Sequence, residues 1–133
     1  MEFLEFIKNT KKAAILFDGA MGTSLQLQDL ISEQFGGDDL EGCNENLIRT
    51  FPKAVEKVHK DFLDAGSDVI ETNTFGASSI VLAEYGLEKY THEINLESAL
   101  LAKSLTHNYT ITGNHKYVAG SIGPTTKLPT LGH

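Results

Sequence analysis

The sequence predicts an α/β fold built on parallel strands, and two observations carry that reading. Apolar strands alternate with helical patterns in the order β, loop, α, β, α, α, β, and crossovers long enough to hold a helix imply parallel pairing. The three strands also end alike, in small or polar residues: Asp18-Gly19-Ala20-Met21-Gly22-Thr23, Glu71-Thr72-Asn73-Thr74 and Ser121-Ile122-Gly123-Pro124-Thr125. In a parallel α/β fold such ends collect on one face, and ligands bind on that face.

The elements follow in chain order. Residues 2 to 9 form a short helix, with Phe3, Leu4, Phe6 and Ile7 able to share a face. "KKAAILFDG" is a buried strand, apolar on both sides, leaving through Asp-Gly. "TSLQLQDLIS" is a short helix, and "EQFGGDDLEGCNENL", with its glycines and polar residues, is a loop. "PKAVEKVHKDFLDAG" is the clearest helix. Pro52 suits its first position, Val55, Val58, Phe62 and Leu63 make one stripe, and Gly66 suits the left-handed cap. Val69 and Ile70 are strand. A helix from about Ser78 to Tyr85 stops at Gly86, and a longer one runs from Thr91 to near His107 on Ile94, Leu101 and Leu105. "NYTITGNHK" is a loop, Tyr117 to Ile122 the third strand, and "TKLPTLGH" a tail with no element of its own.

With 133 residues there is room for one modest domain, 1–133, with no internal boundary. Apolar residues at 41% and charged residues at 22% are those of an ordinary globular chain. A net charge of −7 argues against nucleic acid or an anionic membrane as partner. No apolar run is long enough to span a bilayer, and "MEFLEFIKNTKK" lacks the basic start of a signal peptide. The single cysteine, Cys43, rules out an intrachain disulfide and fits a reducing, cytoplasmic compartment.

Each strand end has an ordinary reading and a functional one. Asp18-Gly19 is common turn chemistry. Read functionally, Gly19 and Gly22 let backbone N–H groups approach a ligand carboxylate while Asp18 accepts from an ammonium group, a pairing that suits an amino acid. A phosphate suits it poorly, and neither phosphate-loop nor dinucleotide fingerprint is present. Glu71 to Thr74 alternate faces, so some must point into the packed centre, where a buried Glu71 needs a partner or a proton. Cys43 reads as structural. His59, His92, His107, His115 and His133 lack zinc spacing, and His59 reads as a rim residue of its helix.

"ILFDGAMGT", "GCNENL", "AGSDVIETNTFGA", "YGLEKYTHEIN" and "YVAGSIGPTTKLP" together resemble, in order and spacing, the start of the homocysteine-binding domain of the cobalamin-dependent methionine synthases. The likeness runs from about Ala13 to Pro129. The betaine-dependent homocysteine methyltransferases share the Asp-Gly turn but differ around it. The resemblance implies a (β/α)8 TIM barrel of which this chain is the N-terminal portion, about three βα units. It implies that Asp18 contacts the amino group of homocysteine and that the amides near Gly19, Ala20 and Met21 receive its carboxylate. Glu71, Asn73 and Thr74 would line the pocket, with Ser121 and Gly123 on its third side.

In that family the homocysteine sulfur binds a zinc ion held by three cysteines, one alone and then an adjacent pair, later in the barrel. This chain has neither, and Cys43 is not a ligand position in the family. The chain is therefore expected to be an incomplete barrel domain with no metal ligands and no catalytic residue of its own. Zinc, cobalamin, the folate and cobalamin modules and the remaining strands would belong to the full-length enzyme, and the exposed edge of the fragment would favour self-association. For the whole enzyme the implied reaction is methyl transfer from methylcobalamin, regenerated from 5-methyltetrahydrofolate, to homocysteine, giving methionine. Two alternatives stand beside it: a truncated, non-catalytic remnant that binds an amino acid or a partner, and a zinc-independent enzyme using Asp18 or Glu71 as general base.

Overall fold

The structure is a computed structural model and describes residues 1–132. Its centre is a set of three parallel segments lying side by side in sequence order. Phe17 makes a parallel bridge to Val69. Strand β1 (Val69–Glu71) pairs in parallel with β2 (Tyr117–Ala119), matching Val69 to Tyr117, Ile70 to Val118 and Glu71 to Ala119.

Asp68, buried at the start of β1, ties the three segments together. Its carboxylate accepts the Leu16 N–H at 2.9 Å and pairs with the Lys12 ammonium. Its own N–H donates to the Leu16 carbonyl at 2.7 Å, and its carbonyl accepts the Tyr117 N–H at 2.9 Å. Burial works to raise this carboxyl's pKa. The Leu16 N–H and the Lys12 and Lys116 charges outweigh burial and hold it below the usual range.

The helices pack around this sheet. α1 (Phe3–Asn9) lays Phe3 and Phe6 against the Tyr117 ring, with centroids 5.0 and 5.2 Å away. α2 (Met21–Gln26), α3 (Ser32–Phe35), α4 (Leu47–Thr50) and α5 (Pro52–Ala65) share a core built on Leu25, Phe35, Leu47, Val55 and Val58. After α6 (Ser79–Leu82), α7 (Thr91–Thr110) packs on α5 and β1 through Ala102 and Leu105 against Leu63 and Ile70. Pro52 opens α5 and Gly66, at φ 110°, closes it, so the sequence signals at both ends hold. No helix among the described residues is long and apolar enough to cross a membrane.

Several elements differ from the sequence expectation. The first strand shrinks to one bridge at Phe17, and Leu16 and Phe17 are 54% and 52% exposed rather than buried. Among the described residues this segment has a sheet neighbour on one side only. The stretch expected as a loop, 33 to 47, is instead a chain of short helical turns. Gly36 and Gly37 turn at φ 111° and 124°, Phe35 and Leu47 are drawn into the core, and the Asn46 amide donates to the Phe35 carbonyl at 2.9 Å. α2 starts at Met21 and ends at Gln26, well before Ser32. α7 runs on to Thr110, into the expected loop, and β2 stops at Ala119, leaving Ile122 93% exposed. Pro129–Leu131 form a 3-10 turn in the expected featureless tail.

His59 is the largest surprise. It is not on the rim of α5 but fully buried, with neither ring nitrogen hydrogen-bonded. Burial lowers its pKa to about 4, so it sits neutral in the core.

Two predictions follow from these buried groups. Asp68→Ala should cost about 3 kcal/mol, the scale of a charge-assisted hydrogen bond lost in a partly buried place. A carboxyl held below its ordinary value stabilises the fold above that value. Its contribution is therefore lost as the pH falls below about 4, and urea unfolding of the variant should lack that loss. His59→Leu should stabilise by about 1 kcal/mol at neutral pH, because two unsatisfied buried nitrogens disappear. A histidine whose pKa is depressed on folding makes stability rise with pH between about 4 and 6.5. That rise should be missing from the variant, as read from the difference between the two unfolding curves.

Candidate functional site

The parallel pairing sends all three segments out of the sheet at the same end, and a cavity of about 510 Å³ lies there. Asp18, Gly19, Ala20, Met21, Glu71, Asn73 and Ser121 line it, so most of the residues singled out from the sequence are brought together. Asp18, Glu45 and Glu71 face the cavity, and among the described residues no lysine, arginine or histidine does. The lining favours a ligand that carries positive charge.

Asp18 leaves the first segment directly after the Phe17 bridge. Its Oδ2 accepts the Glu71 N–H at 3.0 Å, locking the carboxylate across the two strand ends. Its Oδ1 is buried and has no hydrogen-bond partner among the described residues. Burial raises the pKa to about 6. The Glu71 N–H opposes the rise and the Glu71 charge adds to it. Beyond Asp18, the backbone N–H groups of Gly19, Ala20 and Met21 have no acceptor among the described residues. A buried carboxylate oxygen without a donor therefore stands beside backbone donors without acceptors.

Of the four residues, some of which were expected to point inward, Glu71 is exposed, so its carboxylate needs no buried partner, while Thr72, Asn73 and Thr74 are all buried. The turn after β1 accounts for this. The Thr74 N–H folds back to the Thr72 carbonyl at 2.9 Å, which breaks strict alternation and turns three consecutive side chains inward. Each inward side chain is satisfied. The Thr72 and Thr74 hydroxyls bond each other at 2.6 Å, Thr74 donates to the Ser121 carbonyl at 2.8 Å, and the Asn73 amide donates to the Asn44 carbonyl at 2.8 Å.

Thr74 and Gly123 do not line the cavity; they brace its wall. The Gly123 N–H donates to the Phe75 carbonyl at 3.0 Å, and a side chain at Gly123 would collide with that oxygen and with the Phe75 ring. Gly22 and Thr72, which lie in the strand ends singled out from the sequence, also line the cavity, whereas sequence reasoning missed Asn44, Glu45 and Phe75 as lining residues. Asn44 and Glu45 lie in "GCNENL", where a run of polar residues directly after a buried cysteine was the available signal.

Cys43 is buried, and burial pushes its thiol up to about 11. The Asn46 N–H opposes that rise and the Glu45 charge adds to it. Among the described residues, no three His, Cys, Asp or Glu side chains are grouped so as to hold a metal ion.

Comparison with known proteins places this geometry. The family described as homocysteine S-methyltransferase matches residues 15–132. A methionine synthase of Mycobacterium leprae is 38% identical over 129 residues, covering 97% of this chain and 10% of that protein. A methionine synthase of Mycobacterium tuberculosis is 42% identical over 116 residues, covering 87% of this chain and 10% of that protein. The chain thus spans about a tenth of the length of these relatives. The crystal structure of the metallated form of the homocysteine methyltransferase MmuM from Escherichia coli superposes with a TM-score of 0.70 at 27% identity, over 86% of this chain and 39% of that one. A family match over nearly the whole chain, together with a shared fold, leaves one conclusion: the chain belongs to the homocysteine S-methyltransferase family.

Proposed function

We propose that this chain is the amino-acid-gripping portion of a methionine-synthase-type homocysteine methyltransferase domain, the first three strand–helix units of a (β/α)8 barrel. Asp18 takes the ammonium group of homocysteine, with the Glu71 carboxylate adding to the local negative charge. The N–H groups of Gly19, Ala20 and Met21 take its carboxylate, and Asn73, Thr74, Ser121 and Gly123 hold the wall in place. The unpartnered, buried Oδ1 of Asp18 carries this reading. A buried acceptor with no donor costs free energy in the empty site, and a bound ammonium group supplies the missing donor.

The thiol-activating metal does not fit these residues. No donor set is assembled among them, and the Cys43 thiol, at about 11, is protonated at neutral pH and buried. We therefore assign zinc, and with it the cobalamin and folate modules and the remaining strands, to the rest of a protein of the methionine synthase kind. What this chain contributes is orientation: it fixes the two charged ends of the amino acid so that the thiol arm has one direction to point. A reducing cytoplasm suits both a thiol substrate and an unpaired Cys43.

Two outcomes test the proposal. Calorimetry with L-homocysteine should show affinity rising with pH up to about 6 and levelling off above it. Asp18 must be ionised to receive the ammonium, so below its pKa affinity falls toward about tenfold per pH unit. Asp18→Asn should weaken binding about thirtyfold, the worth of about 2 kcal/mol, and flatten that pH dependence. Equal binding by the variant at every pH would remove Asp18 from the site. In a turnover assay with homocysteine, methylcobalamin and zinc, the 133-residue chain alone should form no methionine. Product above a protein-free control would show that the chain is catalytically complete.

A further inference from the structure

Phe75 lines the cavity, yet it is 61% exposed, so packing does not hold its ring in place. Its backbone is held instead, from two opposite sides. On one side the Gly123 N–H bonds its carbonyl at 3.0 Å. On the other, the next residue, Gly76, donates its N–H to Glu45 Oε1 at 2.9 Å. Gly76 fits against that carboxylate so closely that an added Cβ would lie 2.8 Å from Oε1. Glu45 comes from the turn after Cys43, and the Asn73 amide bonds the carbonyl of the neighbouring Asn44 at 2.8 Å. The turn therefore meets the β1 end at two points, and only the Glu45 contact reaches the Phe75–Gly76 peptide.

We infer that Glu45 is a positioning residue for ligand selection: its carboxylate fixes Gly76 and thereby holds the Phe75 ring as the apolar wall against which the thiol-bearing arm of the bound amino acid lies. This rests on the amino-acid reading of the site given above. Asp18 and the Gly19–Met21 amides recognise the charged ends common to every amino acid. The Phe75 wall touches only the arm, so it distinguishes one amino acid from another. An aromatic ring suits a methylene-and-sulfur arm, because sulfur contacts ring edges favourably.

The test measures affinity of the 133-residue chain for L-homocysteine and for L-alanine, which has the same charged ends and no thiol arm. Glu45→Ala should lower the preference for homocysteine over alanine about tenfold, the worth of one lost positioning hydrogen bond, on top of any weakening that the lost charge imposes on both ligands alike. Glu45→Gln, which keeps an acceptor at the same place, should recover most of the preference. Gly76→Ala should reproduce the Glu45→Ala loss by pushing the carboxylate aside, and the two changes together should be no worse than either alone. A purely structural role would weaken both ligands equally, and that result, or an unchanged preference, overturns the inference. Asp18→Asn separates the two claims. If it weakens both ligands while Glu45→Ala leaves the preference intact, the amino-acid site stands and the Glu45 inference falls. If wild type binds neither ligand, or Asp18→Asn changes neither, the amino-acid reading falls and takes the inference with it.

Discussion

Everything at the binding end depends on the position of three short parallel segments, and one buried carboxylate sets that position. The paired strands are only three residues long, and the first segment touches its neighbour through one bridge. So few ladder bonds fix neither register nor spacing well. Asp68 supplies what they lack. It accepts the Leu16 N–H, pairs with Lys12 and spends its own backbone on Leu16 and Tyr117. A one-residue slip of the first segment would strand that carboxylate without its donor, and in a low-dielectric place such an orphan costs more than the ladder bonds are worth. The register in turn decides that Asp18 arrives beside the Glu71 N–H.

The binding end itself, at the far end of the strands from Asp68, is organised differently. Polar groups there satisfy one another within the wall, as the Thr72, Thr74 and Ser121 contacts do, so that few are left over. The exceptions are concentrated where a ligand's charged ends would lie, at Asp18 Oδ1 and the amides that follow it. This uneven satisfaction of the wall is the feature on which the proposed ligand site rests.

Much of this was legible in the sequence, and the reasons differ by element. α5 announced itself because proline, an apolar stripe and glycine all agreed on the same span. The three strand ends were legible because glycine and polar residues following apolar runs mark the same side of a parallel sheet. What was hidden was set by contacts far apart in the chain. Asp68 looked like any charged residue before a strand, since its partners Lys12 and Leu16 lie more than fifty positions away. His59 sat beside an apolar stripe, and only the packing of other elements around α5 decides that it is inside. The stretch from 33 to 47 carried three glycines and read as loop, because short helical turns capped by glycine look the same as a loop in composition. Glu45 was hidden there for the same reason.

The burial of Cys43 bears on the chemical durability of the cavity. Free thiols circulate with their oxidised forms, and any accessible thiolate near the binding site invites a mixed disulfide that would cap it. Cys43 immediately precedes Asn44 and Glu45, both of which line the cavity. With its sulfur enclosed and its pKa pushed up to about 11 by burial, Cys43 stays a protonated thiol at pH 7. The wall beside Asn44 and Glu45 therefore presents no exposed, reactive thiol to whatever enters the cavity.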